Sequence, residues 1–505
     1  MSTHKKAFKF PSAFTILFIV LIIAVGLTWI IPAGSYSKLT YDKGDNSFII
    51  HTYKQADQVL PATRDTLDKL NINIAVEQFT SGKIRKPIAI PGSYRRVEQN
   101  PKGIMDIAES MVNGTIEAAD IMVFIFVLGG MIGVINRTGA FTAGLSALAE
   151  RTKGREFMIV FCVCILMALG GTTCGIEEEA VAFYPILAPV FIALGYDAII
   201  TVGAIFLASS MGTAFSTINP FSVVIASNAA GIPFTEGIVF RAIGLVIGTT
   251  AVIAYLYWYA KKIKADPTAS IVWDDRHKFL ETYSEHTEGK IPAFTTRRKI
   301  VLTLFCLGFP IMIWGVMFGG WWFPTMAASF LTITIIIMFI SKLNEEEIVA
   351  AFTKGASELV GVSLIIGLAR GVNMVLDQGM VSDTILASLS DMVAHMPASV
   401  FIIGQLFVFI ILGLFVPSSS GLAVLSMPIM APLADTVGIP RDIVVSAYNW
   451  GQYAMLFLAP TGLVLVTLQM LYIPFNKWVK FVLPMIGVLL ATASVLLLVQ
   501  VSMAT

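Results

Sequence analysis

Charge is scarce in this sequence. Only 13% of its 505 residues are Asp, Glu, Lys or Arg, about half the share carried by a water-soluble domain. Too few charges remain to cover a surface exposed to water. Intrinsic disorder is excluded by the 56% of hydrophobic residues. The 34 basic and 33 acidic side chains leave a net charge of +1 with no dominant basic stripe, which argues against nucleic acid as a partner. The four cysteines (Cys162, Cys164, Cys174 and Cys306) lie in or beside apolar runs. Cys162 and Cys164, two apart, point to different sides of a helix. They are expected to be small buried thiols, not a disulfide or metal site. The five histidines (His4, His51, His277, His286 and His395) are scattered without an HExxH spacing. No GxxxxGK[ST] loop occurs, so nothing suggests energy from ATP.

What the chain does have is apolar runs of about 20 residues, the length that crosses a bilayer as a helix. The fold class is therefore an all-α polytopic membrane protein, with the lipid bilayer as its surroundings. Residues 1–33 form an N-terminal span: Lys5, Lys6 and Lys9 precede an apolar run from Ser12 to Pro32. That run is too long for a signal peptide, and its basic end is expected in the cytoplasm. Residues 34–102 turn hydrophilic and read as an extracytoplasmic loop or small domain. Residues 103–260 are membranous. A linker at 261–299 opens with Lys261, Lys262 and Lys264 and closes with Arg297, Arg298 and Lys299, marking it as cytoplasmic. Two connecting spans fill 300–341, and a second membranous block fills 342–505.

The two blocks resemble each other. Gly114 and Glu117 line up with Gly355 and Glu358, Gly139 with Gly379, and Pro185 and Pro189 with Pro428 and Pro432, at offsets of 240 to 243. Each block then carries a proline-broken segment, Ser209 to Phe221 and Tyr453 to Gly462. The basic residues switch ends between the copies. Arg137, Arg151, Lys153 and Arg155 follow the first block's opening helix, whereas Lys342 and Lys354 mark the start of its mate. The blocks are thus inverted repeats, with the C-terminus expected outside. Inverted repeats with broken helices are the architecture of secondary transporters, which bind substrate near the midplane.

Four features could carry chemistry there. The first is the run Glu177, Glu178 and Glu179 behind Gly171, Thr172, Thr173 and Gly175, which reads as a re-entrant turn entering a helix. Carboxylates at bilayer depth are costly; these either cap a helix start or bind a cationic substrate group, Na⁺ or H⁺. The second is its repeat mate, Ser418, Ser419 and Ser420, where free amides at a helix start suit a carboxylate. The third is the break Ser216 to Pro220. Pro220 frees backbone groups that side chains, water or an ion must meet; Asn219 is a candidate for substrate, and Ser216, Thr217, Asn219 and Thr461 are candidates for Na⁺. The fourth is Arg370 with Asn373. The arginine either snorkels or clamps a carboxylate, as a substrate anchor or as counter-ion to the glutamates.

GIEEEAVAFYPILAP, TINPF and SSSGLAVLSMPIMAPLAD resemble the YfcC-type members of the C4-dicarboxylate anaerobic carrier family. The resemblance covers nearly the whole chain. It implies two inverted repeats, each with a re-entrant hairpin and a broken helix, and about 10–13 membrane segments. It further implies a bacterial cytoplasmic (inner) membrane location. Some similar carriers are considered arginine/ornithine exchangers or basic amino-acid carriers; others handle dicarboxylates. The family's glutamate pair falls on Glu178 and Glu179, and Glu177 departs from the pattern. The expected function is secondary transport of a small organic ion, a basic or zwitterionic amino acid, with a C4-dicarboxylate as the alternative. No cofactor is expected beyond a coupling Na⁺ or H⁺. A homodimer is an allowed assembly. A membrane enzyme would need a nucleophile–base pair or metal cluster at depth, and a channel would not need inverted repeats.

Overall fold

Helices account for nearly all of the structure, a computed structural model that describes residues 13–504 apart from 73, 81–83, 85, 86, 152, 153, 178, 285–291, 320, 395 and 461. Seven of the described helices are long and apolar enough to cross a bilayer, and shorter apolar helices accompany them. The protein is a polytopic helical membrane protein.

The first span is α1 (Ala13–Ile30). A small β domain follows. Strands β1 (Gly34–Ser35), β2 (Lys38–Asp42), β3 (Ser47–His51) and β4 (Gln58–Pro61) precede helices α2 (Arg64–Lys69) and α3 (Val76–Thr80). Strands β5 (Ile88–Ala89) and β6 (Arg95–Arg96) complete it. All pairing is antiparallel, β1 with β6 and the other four in the order β4-β3-β2-β5. Its core of Leu39, Phe48, Leu67, Phe79 and Ile88 does not close on itself. It continues into Val424 and Ile225 of the membrane helices.

The first repeat runs through α4 (Ile104–Glu117), α5 (Ala119–Arg137), α6 (Ala140–Arg151), α7 (Phe157–Cys174) and α8 (Tyr184–Ala193). It continues through α9 (Ala198–Val202), a π turn at Gly203–Leu207, α10 (Ala208–Ala214), α11 (Val223–Ala230) and α12 (Ile238–Ala265). The linker carries α13 (Arg276–Ser284), and α14 (Thr296–Gly319) and α15 (Phe323–Ser341) connect to the second repeat. That repeat has the same order: α16 (Glu345–Glu358), α17 (Val360–Gln378), α18 (Ser382–Val393), α19 (Ala398–Phe415), α20 (Ser419–Thr436), α21 (Arg441–Leu456), α22 (Leu463–Met470) and α23 (Phe475–Ala504).

Local signals set the ends of these helices. Asn344 caps α16: its side chain accepts from Glu347 N at 2.8 Å while Glu347 reaches back to its amide, a capping box reinforced by three glutamates in the first turn. Gly175 ends α7 at φ 65°, a left-handed conformation cheap only for glycine.

Packing fixes the inversion. Going forward along α4, Ser110 lies against Gly371 and Thr115 against Gly367, so α17 runs backward beside it. Gly129 and then Gly133 of α5 meet Gly355 and then Ala351 of α16, again in reverse. The pair α4–α5 and its sequence mate α16–α17 are therefore antiparallel, as inverted repeats require. A Cβ on Gly355 would lie 2.2 Å from the Gly129 carbonyl oxygen, so the crossing demands glycine.

One expectation fails. Cys164 is buried, but Cys162 and Cys306 are exposed on their helix faces. In a bilayer an apolar neighbourhood does not imply an interior position, because lipid also counts as apolar surroundings.

Candidate functional site

Each repeat interrupts two helices, and every interruption leaves backbone groups without helical partners. In the first repeat the chain leaves α7 at Gly175 and passes Glu177 into a 3-10 turn, Glu179–Phe183. The second interruption, at 215–222, lies against it. Asn219 Nδ2 donates to Gly171 O at 3.0 Å, and Asn219 Oδ1 accepts from Phe221 N at 2.8 Å. Thr172 Oγ1 accepts from Thr217 N at 3.0 Å. Ser216 and Ser222 share a hydroxyl contact at 3.0 Å.

The second repeat supplies the rest through α21. Asn449 Nδ2 reaches Thr213 O, Ala214 O and Ser216 Oγ at 2.8–3.0 Å, closing the end of α10 from across the repeat boundary. Tyr448 OH donates to Ser419 O at 2.6 Å, Gln452 Nε2 to Val416 O at 3.3 Å, and Tyr453 OH to Glu177 Oε2 at 3.1 Å. Ser418 Oγ accepts from Gly421 N at 3.2 Å as the cap of α20. Ser419 Oγ donates to Phe221 O at 3.3 Å, joining the two repeats at their interruptions.

These elements enclose a cavity of about 370 Å³, within the range of small-molecule sites. Of the residues singled out from sequence, Glu177, Asn219, Arg370, Asn373 and Ser418 to Ser420 all line it. Thr172, Thr173, Ser216 and Thr217 do not. Thr172, Ser216 and Thr217 close the break, and Thr173 Oγ1 bonds Leu169 O of its own helix at 2.6 Å. Glu178 and Thr461 lie outside the described residues, as does the side chain of Glu179. Among the described residues Arg370 has Glu117 as its ion-pair partner, at 3.9 Å, and not Glu177. α4 and α17 cross antiparallel, which brings the end of one beside the middle of the other.

Sequence reasoning missed two groups. Glu117 and Asp120, at the joint between α4 and α5, line the cavity, and Asp120 accepts from Trp322 Nε1 at 3.0 Å. Glu117 served only as an alignment landmark. The other group is Tyr448, Asn449, Gln452 and Tyr453. Its signal was available: a polar run inside an apolar helix. Among the described residues no cluster of three His, Cys, Asp or Glu could hold a metal ion. The side-chain oxygens of Ser216, Thr217 and Asn219, the sequence candidates for Na⁺, are engaged in hydrogen bonds that close the break.

Two antiparallel repeats whose broken helices meet at one polar cavity have the architecture of a membrane transporter. The chain belongs to the C4-dicarboxylate anaerobic carrier family, whose profile matches residues 10–502. It is 74% identical, over 99% of both chains, to a Haemophilus influenzae relative called "Uncharacterized protein". It is 29% identical to the "Putative basic amino acid antiporter YfcC" of Escherichia coli, over 98% of this chain and 97% of that one. Among solved structures it is similar to the YdaH transporter of Alcanivorax borkumensis, at TM-score 0.40 and 14% identity over 98% of this chain and 99% of that one. MtrF of Neisseria gonorrhoeae matches at TM-score 0.40 and 15% identity, over 98% and 96%.

Proposed function

We propose that this transporter is a secondary carrier, in the bacterial inner membrane, for a basic or zwitterionic amino acid of arginine or ornithine type, working by exchange. The observation that carries this reading is the charge of the cavity. Among the described residues, Glu117, Asp120 and Glu177 face it against a single cation, Arg370. Such an excess of carboxylate favours a substrate with a cationic side chain, because an opposite charge offsets their desolvation. The substrate ammonium or guanidinium would meet Glu177, held by Tyr453. Its carboxylate would meet Arg370 and the start of α20 at Ser418 to Ser420, where the positive end of the helix dipole favours an anion. The name of the Escherichia coli relative, a putative basic amino acid antiporter, agrees with this assignment.

The two interruptions meet through Ser419 and Phe221 and through Asn449. Alternating access would shift one repeat against the other around that seam. A C4-dicarboxylate is the second reading, supported by the family's description and by Arg370. It requires cations to neutralise the three carboxylates first.

Proteoliposomes decide between them. Vesicles preloaded with ornithine or arginine should drive uptake of external labelled arginine with no ion gradient. Uptake of succinate or fumarate with no response to basic amino acids overturns the reading. Dependence on a Na⁺ gradient, without counterflow, replaces exchange by symport.

A further inference from the structure

A second cavity, of about 480 Å³, lies far from the transport site, between the start of α7 and the end of α12. Its polar wall is cationic. Arg155, Lys261 and Lys264 line it, and among the described residues Glu156 is its one carboxylate, so they give the groove three positive charges against one negative. Glu156 is already committed. It accepts from Gly154 N at 3.0 Å and from Lys264 Nζ at 3.1 Å. Lys261 Nζ stands 4.5 Å above the Tyr257 ring and Lys264 Nζ 4.9 Å above that of Tyr196. These contacts orient the ammonium groups without neutralising them.

The other wall is apolar and leads out of the groove. Met158, Phe161, Leu166 and Leu169 are all exposed on α7, and Ile243, Val246 and Ile247 are exposed on α12. On a membrane span this is the face that lipid tails cover. Tyr257 and Trp258, 45% and 56% exposed, stand at the junction of the cationic and apolar parts, where an aromatic belt marks the headgroup level. A free phosphate would use only the cationic end. A phospholipid would use both ends, with its phosphate among the cations and its acyl chains along the exposed stripe.

We infer that this groove binds the headgroup of an anionic phospholipid, which therefore acts as a resident ligand at the basic end of α7 and α12. Basic residues clustered at the edge of a membrane attract anionic lipid. The distribution of lysine and arginine assigns this edge to the cytoplasmic leaflet.

The test uses the full chain, delipidated in detergent and titrated with dioleoyl phosphatidylglycerol or with dioleoyl phosphatidylcholine. Bound lipid is counted by native mass spectrometry. Wild type should retain phosphatidylglycerol in preference to phosphatidylcholine. The double variant R155Q/K261Q should lose roughly 10- to 30-fold in apparent affinity, from the contribution expected for two surface cations. R155Q alone should lose about fivefold by the same reckoning. The control K278Q/R297Q, which removes equal charge outside the groove, should bind like wild type. All four substituted positions are exposed, so folding should survive, and elution as a single species checks it. Equal retention of the two lipids, equal loss in both double variants, or displacement by an equimolar amount of glycerol phosphate overturns the proposal.

Discussion

Glu177 is the residue on which the substrate assignment turns. Its carboxylate lines the cavity and takes a hydrogen bond from Tyr453 at 3.1 Å. If a substrate cation offsets its charge, Glu177→Gln removes one partner of a desolvated pair, at a cost of about 3–5 kcal/mol or roughly 10²–10⁴ in affinity. Arginine counterflow should vanish at micromolar substrate while the protein still reaches the membrane. Tyr453→Phe keeps the charge and loses one bond to it, so a decrease of about tenfold is expected. Normal counterflow in both variants would return Glu177 to a purely structural role. From the sequence the run either caps a helix start or binds a cation, and the family resemblance points to Glu178 and Glu179, whose side chains lie outside the described residues. Neighbouring positions differ by about 100° around a helix, so their identity alone could not say which one the packing turns toward the cavity.

Among the elements, the break at 215–222 and the crossing of α5 with α16 make separate predictions. Asn449 Nδ2 shares its two N–H groups among three acceptors that close α10, two of them backbone carbonyls. Asn449→Leu preserves bulk and leaves those acceptors buried, at about 1–3 kcal/mol each where water cannot enter. A fall of several degrees in Tm is expected in detergent, followed by tryptophan fluorescence. An unchanged Tm means that water already shares the site. At the crossing, Gly355→Ala places a methyl group 2.2 Å from a backbone oxygen and must push the helices apart, so the yield of folded protein should collapse. Gly487→Ala on α23 meets nothing within 4 Å and should be neutral or stabilising by up to about 1 kcal/mol. Equal behaviour of the two would dissolve the argument from close packing. Both glycines are plain in the sequence, but only the neighbour across the crossing distinguishes them.

On the scale of the whole molecule, the antiparallel packing of α4–α5 on α16–α17 ties the orientation of one repeat to that of the other. The basic residues predict the absolute sense, with residues 34–102 and the C-terminus outside. Single cysteines at Val59 and Met503, 65% and 73% exposed, on a background lacking the four native cysteines, should react with an impermeant maleimide added outside. Labelling of Met503→Cys only after permeabilisation contradicts this topology. The β domain belongs to the same scale. Its core is shared with Val424 of α20 and Ile225 of α11, and Tyr36 N donates to Asp383 Oδ2 of α18 at 3.0 Å. It rests on the helices that begin at the two interruptions.

The membrane class, the paired blocks and the points where helices break were legible in the sequence because each depends on short-range properties. An apolar run of bilayer length is a helix wherever it lies, and glycine, proline and serine interrupt it by their own backbone chemistry. The composition of the cavity was legible only in part. Asn219, Arg370, Asn373 and Ser418 to Ser420 announced themselves as polar groups beside a break or deep in an apolar run. Glu117 and Asp120 looked like ordinary charges at a helix joint, and the run Tyr448 to Tyr453 passed for part of a span. Tertiary structure alone decided their roles, because three of the contacts that define them join residues more than 200 positions apart: Trp322 with Asp120, Asn449 with Thr213, Tyr453 with Glu177. At such separations no periodicity within one segment carries the information, and only the packing of one inverted repeat against the other fixes which polar groups meet.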